Sequence, residues 1–75
     1  MDREMKVDKF IAIRTFLEMT VPEFAEYLGV SASSIYMIEA RSRRISKQML
    51  GKIAKKFEET SEFTEYYERT KKLSD

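Results

Sequence analysis

The stretch TVPEFAEYLGVSASSIYMIE, residues Thr20 to Glu39, decides how the rest of the chain is organised. Thr20, with Glu23 three residues later, forms the pattern of a capping box, and Pro22 falls in the first helical turn, where a missing N–H costs little. Phe24, Ala25 and Leu28 then line one side of the helix. Gly29 ends it in the position where a left-handed backbone is usual. Ser31 caps a second short helix, Ala32 to Glu39, in which Ile35 and Ile38, with Val30 before them, supply the facing apolar contacts. Two short helices therefore meet at a tight turn. Ala32, Ser33, Tyr36 and Met37 are left pointing outward, and what they touch is the functional question.

On the N-terminal side, Phe10, Ile13 and Leu17 fall at helical spacing, which predicts a helix from about Asp8, a candidate cap, to Glu18. Arg14 lies on the same apolar side and needs a partner. On the C-terminal side, Ala40 to Ile45 reads as a polar, basic connection. Ser46 then caps a fourth helix with Leu50, Ile53, Ala54 and Phe57 at i, i+3, i+4, i+7. Its lysines, Lys47, Lys52, Lys55 and Lys56, take the remaining surface. Thr60 or Ser61 opens a fifth helix, about residues 61–73, with Phe63, Tyr66, Tyr67 and Thr70 again at helical spacing. Apolar side chains so spaced normally face the core. Two adjacent tyrosines nevertheless cover more than one narrow face, so Phe63, Tyr66 and Tyr67 are also a candidate dimer surface.

The bulk numbers agree with one small all-α domain spanning residues 1–75. At 75 residues and 43% hydrophobic content, the chain is near the lower limit at which a single core folds unaided. Two Gly and one Pro, among abundant Glu, Lys, Met, Leu and Ala, argue for helices throughout. With no Cys and no His, thiol chemistry, the usual zinc sites and imidazole catalysis are excluded, and the chain suits a reducing cytoplasm. No apolar run approaches a membrane span, and MDREMKVDK lacks the apolar core of a signal peptide. No nucleophile-base pair or phosphate-cradling Gly loop is present, so neither enzyme activity nor a cofactor is expected.

Net charge is only +1, but its distribution is uneven. Residues 41–56 hold seven basic side chains (Arg41, Arg43, Arg44, Lys47, Lys52, Lys55 and Lys56) and no acid. Four basic residues stand against seven acidic before that stretch, and three against six after it. A basic band beside the outward helix face suits a polyanion.

In order and spacing, these pieces resemble the Cro/repressor, or XRE-like, helix-turn-helix family of phage and bacterial transcriptional regulators. The resemblance covers about residues 10–57. It is carried by Phe10 through Ile13-Arg14, the capped Thr20 to Ser31 segment with Ala25, Leu28, Gly29 and Val30, then Ile35, Ile38 and Glu39, the basic loop, and Ser46 through Leu50, Ile53 and Ala54. It implies a compact five-helix bundle of the lambda-repressor-like DNA-binding type, with the helix-turn-helix in helices 2 and 3. It also implies an ion pair between Arg14 and Glu39, since members join the arginine of helix 1 to the glutamate ending helix 3. The third helix would enter the major groove of an operator, with Ala32, Ser33 and Met37 at base edges and Ser31, Ser34 and Tyr36 beside them. Thr20, Arg41, Arg43, Arg44 and Lys47 would hold phosphates.

The chain departs from the family pattern in three ways. No Gln, Asn or Arg, the side chains that discriminate base pairs best, stands on the outward face. Val21 replaces the Gln that commonly follows the capping Thr, and Arg41 replaces a usual Gly, so the loop after helix 3 is expected to take another path. The implied function is a homodimeric DNA-binding regulator, a repressor of the phage or mobile-element type. The alternative keeps the fold but makes Tyr36 and Met37 a contact for another regulatory protein, as in an antirepressor or co-repressor.

Overall fold

A computed structural model describes residues 5–74. Five α-helices follow one another: α1 (Val7–Phe16), α2 (Val21–Leu28), α3 (Ala32–Glu39), α4 (Lys47–Lys56) and α5 (Ser61–Ser74). Four of the five open on a hydroxyl that accepts a backbone N–H. The Thr20 hydroxyl accepts from the Glu23 N–H (3.3 Å) while the Thr20 N–H donates to Glu23 Oε1 (2.8 Å), which completes the capping box. Ser31, Ser46 and Thr60 accept from Ser34, Met49 and Phe63 at 3.2, 3.1 and 3.2 Å. Asp8 does not cap α1. Lys6 precedes the helix with no side-chain cap, and Asp8 sits in the first turn, where its charge meets the positive end of the helix dipole.

Helices α1, α2 and α3 end alike, although only one has the expected glycine. In each, a residue with positive φ (Glu18 58°, Gly29 75°, Arg41 63°) follows the last turn. The N–H after it reaches back five residues: Met19 to Arg14 O (3.1 Å), Val30 to Ala25 O (2.9 Å) and Ser42 to Met37 O (2.9 Å). This is the Schellman pattern, which satisfies carbonyls the helix leaves open. The loop after α3 therefore keeps the left-handed path, contrary to what a non-glycine at position 41 suggests. For Glu18 and Arg41 the left-handed backbone costs roughly 1 kcal/mol each, because Cβ crowds the carbonyl oxygen.

α1 packs against α3 and α5, and α2 against α3 and α4. Phe10, Ile13, Phe24, Ile35, Ile38 and Phe63 are essentially inaccessible to solvent, and the Phe10 and Phe24 rings meet edge to face with centroids 5.4 Å apart. α4 is turned from its expected orientation: Met49 and Ile53 are buried, Leu50 is half-buried, and Ala54 faces solvent. Its far end is fixed by the Tyr27 hydroxyl, which donates to the Lys56 carbonyl, and by Phe57, whose extended backbone carries it out of the helix and into an aromatic cluster.

That cluster joins α5 to the body. Phe63 meets Phe57 and Phe16 edge to face at 5.0 and 5.3 Å, and the Tyr67 ring stacks on Phe63 at 6.0 Å. The Tyr66 hydroxyl pairs with the Thr15 hydroxyl at 2.7 Å, and Lys71 Nζ lies 5.2 Å from the Tyr67 centroid. Phe63, at 1% exposure, is thus core and not a dimer surface, and both tyrosines are half-buried by contacts within the chain. Leu73, 86% exposed, is the outward apolar side chain of α5.

A mostly buried ion pair ties α1 to the end of α3. Arg14 Nε and Nη2 donate to the two oxygens of Glu39 at 2.7 and 3.0 Å, and Nη1 donates to the Met19 carbonyl at 3.0 Å. Both side chains are mostly buried, at 18% and 16% exposure. Glu39 ends α3, where the dipole disfavours a negative charge, so the arginine neutralises a site that neither water nor the helix would.

Arg14→Ala leaves Glu39 buried without its partner and should cost about 3 kcal/mol in urea denaturation. That is a large share of the roughly 4–11 kcal/mol to be expected of 75 residues. Two other substitutions should stabilise. Glu18→Gly relieves the left-handed strain. Gly51→Ala adds a Cβ that meets nothing within 4 Å on the exposed side of α4. Each should raise the unfolding free energy by about 0.5–1 kcal/mol, and no rise in the urea midpoint would contradict the strain and propensity arguments.

Candidate nucleic-acid interface

The capped start of α3 aims one narrow face at solvent. With Ile35 and Ile38 turned inward, Ser33, Tyr36, Met37 and Ala40 fall at i, i+3, i+4, i+7 and are all exposed, Tyr36 at 56% and Met37 at 41%. Ala40 was not singled out from the sequence, although its spacing from Ser33 carries the signal. Ala32 and Ser34 lie at the edge of the stripe and are half-buried. The Ser31 and Ser34 hydroxyls are 2.9 Å apart and close the helix start, so their hydrogen-bonding capacity is largely used inside the protein. The same holds for Thr20 in its capping box. Val21, at 8% exposure, belongs to the core and presents no polar group beside Thr20.

The Schellman turn at Arg41 directs the loop from Arg41 to Ser46 back along α3. Arg43 Nη1 reaches Ser34 Oγ over a long 3.4 Å contact, which draws its guanidinium beside the exposed α3 stripe. The Ser42 hydroxyl donates to the Met37 carbonyl at 3.1 Å and steadies the turn. Arg44 is exposed, and Lys47 is exposed in the first turn of α4, where the helix leaves backbone N–H groups open. Arg41 Nη2 donates to Asp8 Oδ1 at 3.1 Å, across to the first turn of α1.

These contacts define an open groove between the first turn of α1 and the 41–45 loop. Among the described residues Lys6, Arg41, Arg43 and Arg44 line it together with one acid, Asp8. Lys6 was missed from the sequence because the return of the loop to α1 is a long-range event without a local signature. On α4, Lys47, Lys52, Lys55 and Lys56 form no ion pair among the described residues. Chemically, the region offers N–H donors and positive charge around a small, partly apolar helix face. It suits the phosphates and groove of a nucleic acid better than a small polar substrate.

No helix among the described residues is long and apolar enough to cross a membrane. Neither the curated proteins nor the solved structures include a significant match to the chain. A sequence model described as helix-turn-helix matches residues 12–63, more than two thirds of the chain and the span that holds the Arg14–Glu39 pair, the α2–α3 unit and the basic loop. The chain belongs to the Cro/repressor-type (XRE-like) helix-turn-helix family, a family of DNA-binding regulators and not of enzymes.

Proposed function

We propose that this protein is a sequence-specific transcriptional regulator that represses by occluding promoter DNA, in the manner of phage and mobile-element repressors. The observation that carries this reading is the exposed stripe Ser33, Tyr36, Met37 and Ala40, bordered directly by an acid-free segment of seven basic residues. α3 lies in the major groove. Ser33 and Tyr36 offer hydroxyls to base edges, while Met37, with Ala32 and Ala40, offers apolar contact to thymine methyl groups. Arg41, Arg43, Arg44 and Lys47 hold phosphates and set the register, and Thr20 and Ser31 bring helix starts to the backbone. Because no side chain on the stripe is a long bidentate donor, phosphate contacts supply most of the affinity.

Two copies act together on a short palindromic operator, with recognition helices about 34 Å apart. α5 suits a twofold contact by its charge order: Glu62, Glu65 and Glu68 precede Arg69, Lys71 and Lys72, so antiparallel copies oppose unlike charges, with Leu73 at the seam. The protein works in the cytoplasm. A second reading rests on the 56% and 41% exposure of Tyr36 and Met37: the same stripe binds another regulatory protein as an antirepressor or co-repressor does.

Anisotropy titration of a selected DNA site across a salt series should give an affinity that falls steeply with salt, by a slope of about 0.9 per phosphate contact. Arg43→Ala with Arg44→Ala should flatten the slope and weaken binding about tenfold or more. An affinity indifferent to salt and to both arginines, together with capture of a partner protein through Tyr36 and Met37, would favour the second reading. Ser33→Ala and Met37→Ala should instead alter the sequence recovered by site selection, each changing discrimination by about 0.5–1 kcal/mol, near the low end for base contacts. Unchanged preferences would remove α3 from base reading.

A further inference from the structure

Arg41 occupies a backbone position that a glycine would fill without strain, and among the described residues its side chain makes an ion pair only with Asp8, an exposed residue. Exposed pairs contribute little to stability and lose more of that as salt rises. The pair therefore does not account for an arginine at this position. An outlier that stability leaves unexplained points to function. The basic groove adds a second fact: the one acid that lines it among the described residues is placed on the arginine at the turn, 3.1 Å away, while Lys6, Arg43 and Arg44 line the same groove.

We propose that Asp8 is a further determinant of DNA affinity, its carboxylate standing in for a backbone phosphate at Arg41 until DNA displaces it. This rests on the DNA-binding reading above. In the free protein the Asp8 carboxylate and the Arg41 guanidinium cancel, so the pair brings no net charge to the DNA. On binding, Arg41 exchanges one oxygen ligand for another, and Asp8 is left facing the phosphates as a like charge. Asp8 thus lowers affinity twice, by competing for Arg41 and by repelling the backbone. A site with an ideally placed phosphate overcomes both effects, whereas a poorly matched one does not. Asp8 acts mainly through Arg41 and is a positioning residue, touching no base itself.

The test is a double-mutant cycle of Asp8→Asn and Arg41→Ala in the full chain, by anisotropy with a site-selected duplex and a scrambled one from 50 to about 300 mM salt. Asp8→Asn should bind about three- to tenfold more tightly at the lowest salt, with a log–log salt slope steeper by up to about 0.9, since Arg41 now delivers an uncompensated charge. The gain should be larger on the scrambled duplex and should shrink at least by half in the Arg41→Ala background. Thermal unfolding of the two single variants checks that the fold persists, and Arg41→Gly, which relieves the backbone, replaces Arg41→Ala if that variant unfolds. An equal gain with and without Arg41, or a loss of affinity in Asp8→Asn, overturns the proposal while leaving DNA binding intact. Absence of binding by every variant and by the unmodified protein overturns the DNA-binding reading, and this proposal with it.

Discussion

The fork between Arg14 and Glu39 is the constraint on which the rest of this small protein depends. Three guanidinium N–H groups are used, two on the carboxylate and one on the Met19 carbonyl, so one side chain ties α1, the α1–α2 turn and the end of α3 together. In a water-poor site each partner is stable only because the other is present, and a planar fork makes the geometry hard to satisfy in any other register. The position of α3 relative to the core is thereby set by a directional contact as well as by apolar packing. The base reading proposed for α3 would need this, because it tolerates little rotation of the helix about its axis.

From that fixed helix the interface follows by local chemistry. The left-handed residue at Arg41 turns the chain sharply, the Ser42 hydroxyl holds the turn to Met37, and the following arginines are brought beside α3 and α1 rather than trailing into solvent. At the other end, the α5 aromatics close the bundle over Phe16 and Phe57. Core and interface are thus separated in space, with acidic side chains concentrated toward the two ends of the chain and the basic ones between them.

Much of the fold was legible in the sequence because its signals are local. Thr20 with Glu23, Ser31, Ser46 and Thr60 all cap as their hydroxyls and positions suggest, and Gly29 takes the left-handed turn. The misreadings fall where a local signal competes with packing. Asp8 is a good capping residue two positions too late, and Arg41 adopts a glycine's backbone because the α3 carbonyls it satisfies outweigh its Cβ. Ala54 yields the buried stripe to Met49, since helical spacing alone fits either rotation of α4. Phe63 could be assigned to core or to surface only by seeing Phe16 and Phe57 against it.

The sequence by itself determined the five helices, the caps of α2 to α5, the α2–α3 unit and the concentration of positive charge after Glu39, because each is written in residues fewer than about eight apart. Only the tertiary structure decided which groups are used up and which remain open. Thr20, Ser31 and Ser34 are largely occupied by caps, Ala40 joins the exposed stripe, and Lys6 and Asp8 come to the loop at Arg41 from the far end of the chain. The physical reason is that exposure and ion pairing depend on contacts between distant residues, such as Arg14 with Glu39 and Arg41 with Asp8, which no local pattern of residues encodes.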